Sequence, residues 1–169
     1  MPVYHFVLHA FGFWHPDREE GWHQHGDPWP RRCDEGLGIK RRNAQRWPTV
    51  TFADSVQESF QKMAIDICLR RRWRCHAIAV TSTHIHVAAS WRDALEALEV
   101  QASFKRILGW YASKLYGIHG RRWFSDGGRP RKVDGGTHLR YLIDHYLPEQ
   151  GGVFWVEPKT YLQLEERTD

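Results

Sequence analysis

The sequence predicts an α+β fold, a ferredoxin-like antiparallel sheet with helices packed on one face. Three observations predict it. Strand-like and helix-like segments follow one another in the order β-α-β-β-α-β-α. Two of the strand-like segments, 74–80 and 84–90, are separated only by Thr81-Ser82-Thr83, which is hairpin spacing. With 41% hydrophobic and 26% charged residues over 169 positions, the chain can bury one core and suits a single domain, 1–169.

Residues 3–13 (Val-Tyr-His-Phe-Val-Leu-His-Ala-Phe-Gly-Phe) are β-branched and aromatic without proline, and read as a first strand. Residues of about 14–50 read as a long irregular insertion, with Pro16, Pro28, Pro30 and Pro48 and the basic residues Arg31, Arg32, Lys40, Arg41, Arg42 and Arg46. A helix is expected from about Phe52 to Arg70: Thr51 and Asp54 form a cap-like start, and Val56, Phe60, Met63 and Ile67 recur at helical spacing. The two hairpin strands come next. The longest helix is expected over 94–116, with Leu98, Phe104, Leu108, Tyr111 and Leu115 on one side and Gly117 as its stop. A short strand at Arg121–Ser125 and a Gly-rich basic loop precede a helix from Thr137 to about Leu147. A strand-like Val153–Val156 opens a short tail, 153–169.

No apolar run approaches the roughly 20 residues of a membrane span, and no basic flank with an apolar stretch opens the chain. A cytoplasmic protein is expected. Cys33, Cys68 and Cys75 form an odd set without CxxC spacing, so reduced thiols are expected rather than a disulfide framework. The net charge of +4 is modest; 11 His, 9 Trp and an excess of arginine over lysine are less ordinary. They suit phosphate contact, base stacking and metal or proton chemistry, though composition alone does not decide among these.

His84-Ile85-His86 sits within a strand pattern. Alternation puts both imidazoles on one face, where their ring nitrogens can converge on one divalent ion. Alone, the motif is more often just a pair of half-exposed strand histidines. Its apolar flanks, 77–80 and 87–89, point to a central strand, where two polar rings need a reason.

In the helix 137–147, Leu139, Leu142, Ile143, Tyr146 and Leu147 form a core-facing stripe. At about 100° per residue, His138, Tyr141 and His145 cluster within roughly 60° of one another, off that stripe. The plain alternative is an amphipathic helix whose polar face happens to be aromatic. A phenol with a reference pKa of about 10 is a poor nucleophile at neutral pH, which a divalent ion polarising a phosphate offsets.

Three passages resemble the single-tyrosine, IS200-type branch of the HUH endonucleases, close to the REP-associated tyrosine transposases. They are Tyr4 through Asp17 with Gly21-Trp22, residues 73–88 with the His-x-His strand, and residues 104–147 with Phe104-Lys105, Tyr111-Ala112-Ser113, Arg122-Trp123-Phe124 and the tyrosine helix. The resemblance implies an HUH-type fold and a metal-dependent single-strand DNA endonuclease and strand transferase. It implies His84 and His86 as ligands for Mg²⁺ or Mn²⁺, and Tyr141 as the nucleophile that retains a 5′-phosphate. Insertion-sequence relatives place a Gln four residues after the tyrosine to complete the metal site; here that position is His145, a candidate third ligand. The chain departs from the family at Ser82-Thr83, where Pro and Asn or Asp are usual, and at Glu149–Gly152, which lacks the Asn-Pro-x-Arg pattern. A non-catalytic nucleic-acid-binding descendant and a metallohydrolase with an activated water remain the alternatives. The implied partner is single-stranded or hairpin DNA, bound by a monomer or homodimer away from any membrane.

A nucleic-acid surface accords with this. From Lys105 to Arg140 nine basic residues, among them Arg121, Arg122, Arg129, Arg131 and Lys132, face two acids, a local charge of +7. Trp110, Trp123 and Phe124 are candidates to stack unpaired bases, and Arg41 and Arg42 to hold a DNA hairpin.

Overall fold

The structure, a computed structural model, describes residues 1–13, 16, 19, 29 and 31–160. In chain order these form β1 (Val3–His9), α1 (Glu35–Asn43), α2 (Asp54–Arg71), β2 (Arg74–Val80), β3 (His84–Ser90), α3 (Ala97–Tyr116), β4 (Arg131–Lys132), α4 (Gly135–Tyr141), a π-helical turn (Leu142–Tyr146), α5 (Leu147–Glu149) and β5 (Val153–Val156). The five strands make one antiparallel sheet in the order β4-β1-β3-β2-β5. Its first four strands run 4-1-3-2, the ferredoxin-like arrangement, and β5 extends it beyond β2. The fold is α+β.

Alternation along the strands sorts the two faces. Phe6, Leu8, Ile78, Ile85 and Val87 point to one side, where α2 and α3 cover them with Phe60, Ile67, Phe104 and Leu108. On the other side the strands present Ala77, Ala79 and Ala88, and the helical stretch from α4 to α5 lays Leu139, Leu142, Ile143 and Leu147 against them. This corrects one detail of the expected architecture. The two long helices share a face, but the tyrosine-bearing helix crosses the opposite one. Three alanines leave room for close approach there, and the apolar stripe of residues 139–147 has no other surface to bury.

Both long helices end in the left-handed region, at Arg72 (φ 57°) and Gly117 (φ 65°). Residues 14–50 are not irregular throughout. The Asp34 side chain accepts from Leu37 N (2.8 Å) and starts α1, a helix whose only buried residue is Gly38 and which therefore leaves no apolar periodicity in the sequence. Arg121–Ser125 is not a strand: Phe124 makes one bridge to Ala10, and the edge strand forms instead at β4. The last helix begins after Asp134 rather than at Thr137. The turn residues Trp14, His15, Asp17, Gly21 and Trp22, and the tail beyond residue 160, lie outside the described residues. None of the three cysteines is in a disulfide, and no described helix is long and apolar enough to cross a membrane.

Candidate nucleic-acid cleft

The register between β1 and β3 sets His9 opposite His84 and Val7 opposite His86. His5, Val7, His9, His84 and His86 therefore point away from α2 and α3, toward the tyrosine-bearing helix. They floor a cleft of about 540 Å³ whose roof carries His138, Tyr141, Tyr146 and Gln150 and whose rim carries Arg129 and Arg131.

His86 is the most enclosed of these, 2% exposed. Its Nδ1 lies 3.2 Å from His5 Nε2, and the two rings stack with 5.4 Å between centroids. Its Nε2 is buried and has no hydrogen-bond partner. The ring of His84 lies 5.8 Å from that of His86 and edge-on to His9 at 4.7 Å, while its Nδ1 is 2.7 Å from Thr83 Oγ1. Burial, reinforced by the neighbouring imidazoles of His5, His84 and His9, pushes His86 down to about 3. Burial, with Arg131 and His138 nearby, pushes His5 down to about 4. Both rings are neutral near pH 7, the form that offers a lone pair to a metal or a proton.

Tyr141 lines the same cleft as His84 and His86 and is 54% exposed. His145 stays outside it: the side chain is exposed, with its ring 5.8 Å from that of Tyr141. Tyr146 reaches the histidine floor from the roof: its ring stands edge-on to both His5 (5.6 Å) and His86 (5.8 Å). Gln150 follows it along the roof, donating from Nε2 to Tyr146 O (3.0 Å).

The π turn explains this exchange. Pro148 has no N–H to give the carbonyl of Asp144, and Leu147 N instead bonds Leu142 O, five residues back. On an unbroken α-helix each step of four residues overshoots a full turn by about 40°, so His138, Leu142, Tyr146 and Gln150 would spiral away from one another. The slower winding of the π turn takes back part of that overshoot and keeps all four on the cleft. A reading at uniform helical pitch instead buries Tyr146 among the core residues and presents His145 beside Tyr141.

His5, His9, Tyr146 and Gln150 are thus cleft residues that the sequence reading passed over. The signals existed. His5, Val7 and His9 alternate on a strand, and Tyr146 and Gln150 carry the tyrosine-to-glutamine spacing of four that the family resemblance implies.

The basic candidates divide among different surroundings. Arg129 and Arg131 face the cleft, and Lys132 is exposed on β4. Arg140 is half-buried on α4. Lys105 donates to the carbonyls of Ser125 (2.8 Å) and Gly127, and burial lowers its pKa. Arg121 donates to Pro48 O (2.7 Å), and Arg122 pairs with Asp126 at 2.8 Å. Arg41 and Arg42 lie exposed in the last turn of α1. Among the described residues, no three His, Cys, Asp or Glu side chains are grouped to hold a metal ion.

A comparison with family models finds no match, and neither does one with curated proteins. Among solved structures, the chain is similar to a REP-associated tyrosine transposase bound to a REP hairpin, with 11% identity and a TM-score of 0.48 over 90% of this chain and 70% of that one.

Proposed function

We propose that the histidine cleft is the active site of a metal-dependent single-strand DNA endonuclease and strand transferase of the single-tyrosine HUH transposase type. One observation carries the reading: a buried imidazole nitrogen, His86 Nε2, has no partner in a cleft that also holds three further strand histidines and two phenols. An unsatisfied buried acceptor costs stability unless something else occupies it.

The donor set fits a divalent ion in part. His84, His86 and the Gln150 amide are the residues to hold Mg²⁺ or Mn²⁺, with water or phosphate oxygens completing the shell. Such an ion, when bound, polarises the scissile phosphate. Gln150 takes the place of His145 in this assignment because only Gln150 lines the cleft.

Tyr146 is the better-placed nucleophile, and Tyr141 the second candidate at the rim. In the proposed step the phenol gives up its proton and its oxygen attacks phosphorus. The P–O3′ bond breaks, the departing 3′-oxygen takes a proton, and the 5′-phosphate stays on the tyrosine. Attack by a 3′-hydroxyl on that phosphotyrosine reverses the step and rejoins strands. Arg129 and Arg131 hold the backbone at the rim.

The test incubates the protein with labelled single-stranded hairpin DNA and Mn²⁺ and looks for a denaturation-resistant adduct. Wild type forms it and Tyr146→Phe does not. Loss in Tyr141→Phe alone returns the nucleophile to Tyr141. Binding without any adduct identifies a non-catalytic descendant, and cleavage that survives both substitutions identifies a metallohydrolase.

A further inference from the structure

A second cleft, about 370 Å³, lies between α3 and residues 121–126. Its lining combines cations with one exposed indole. Trp110 is 56% exposed, whereas Trp123 and Phe124 are 4% and 6% exposed and belong to the core behind it. Of the three aromatic residues that the sequence offers for stacking, only Trp110 presents a ring to solvent. Lys114 Nζ stands 4.0 Å from the centre of that ring. Arg106 on α3 and Arg122 on the opposite wall, both exposed, line the groove with it. An aromatic face amid cations is what an unpaired base and its phosphates require.

This groove adjoins the histidine cleft by one continuous segment. Ser125, in the groove wall, donates from its backbone N to His9 O (2.9 Å) and from Oγ to Ala10 O (3.1 Å), at the end of the strand that carries His5 and His9 into the cleft. Three residues on, Gly128 (φ +83°) packs so near β1 that a Cβ there would lie 3.3 Å from Val7 O. Arg129 and Arg131 follow at the cleft rim. Residues 121–131 thus run from the α3 side of the sheet, past the end of β1, to the histidine side, with basic residues along their length.

We propose that the α3 groove is a second binding site for single-stranded DNA, which stacks an unpaired base on Trp110 and holds the continuation of a strand engaged at the histidine cleft. The proposal rests on the functional reading above for its ligand class. Lys114 and Arg106 neutralise the phosphates beside the stacked base, and the segment 121–131 guides the backbone between the two sites.

Fluorescence anisotropy of labelled oligothymidylates in EDTA reads binding without any cleavage. Trp110→Ala weakens binding of long oligonucleotides about tenfold, Trp110→Phe largely restores it, and short oligonucleotides that fill only one site are much less affected. Arg106→Ala lowers the salt dependence by roughly one ion. Equal affinities for wild type and Trp110→Ala at every length would overturn the groove assignment and leave the catalytic reading standing, as would tighter binding of duplex than of single strands in wild type. No DNA binding by wild type at all would overturn both.

Discussion

The Tyr146 ring meets His5 and His86 at once, its plane at 81° to the first and 75° to the second. This three-ring contact joins β1, β3 and the roof helix, residues 5, 86 and 146 of the chain. It places a phenol over His86, whose Nε2 is buried and has no hydrogen-bond partner.

Replacing Tyr146 by Phe keeps the ring contacts and removes only the hydroxyl. Adduct formation falls by at least about a thousandfold, as for loss of any nucleophile, while the thermal midpoint stays close to that of wild type. Tyr141→Phe reduces the rate far less. Gel-shifted adduct, quantified against time, separates the two.

Mn²⁺ stabilises the folded protein because the unfolded chain does not preassemble the His84–His86 pair. An excess of about 100-fold over the dissociation constant contributes about 2.7 kcal/mol, and EDTA reverses it. His86→Ala abolishes this metal-dependent shift in the melting curve. A shift that persists in His84→Ala/His86→Ala would place the ion elsewhere.

Stability of the metal-free protein falls with acidification. His5 and His76 are pushed down to about 4 and His86 to about 3, in each case first by burial. Histidines of the unfolded chain titrate near 6.5, so below that pH the unfolded state binds protons that the folded state refuses. Stability is full above about pH 6.5 and declines as pH falls toward 4, by roughly 2 kcal/mol per histidine at pH 5. Urea unfolding at pH 7 and pH 5 measures it. His76, held by Ser90 (2.9 Å) and Thr160 (3.1 Å) outside the cleft, supplies the control: His76→Asn removes about a third of the difference.

Pro148→Ala returns an N–H to the carbonyl of Asp144 and lets the π turn relax toward α-helix. Tyr146 and Gln150 then rotate off the histidine floor. Adduct formation drops at least about tenfold although no cleft residue has changed, and the His5 and His86 ring protons shift in NMR spectra as the edge-on phenol leaves. Unchanged spectra would disconnect the proline from the cleft geometry.

Gly152→Ala is severely destabilising, by upward of about 3 kcal/mol. The residue sits at φ +76°, and a Cβ there would lie 2.1 Å from Val80 O and 2.7 Å from Gln57 Oε1. Chemical denaturation reads the loss, and a wild-type midpoint would contradict the packing of Gly152 against β2.

Much of the sheet was legible because its signals are local. The segments 74–80, 84–90 and 153–156 are strands at the bounds that their β-branched and apolar runs predict. Alternation put His84 and His86 together, and helical spacing brought the tyrosine helix into play. What stayed hidden depends on other parts of the chain or on departures from regular pitch. The three alanines that admit a helix to the second face are unremarkable in sequence, and α1, exposed around most of its surface, has no apolar repeat to announce it. His5 and His9 gain meaning only once β1 pairs with β3. The π turn redirects Tyr146 and Gln150 through one missing N–H, a change that uniform helical periodicity does not register.

The brevity of β4 has a consequence for the molecule in company. Only two residues long and exposing Arg131 and Lys132, it caps the sheet with cations at the margin where another chain's strand would otherwise dock. Lateral fusion of sheets is discouraged on that flank.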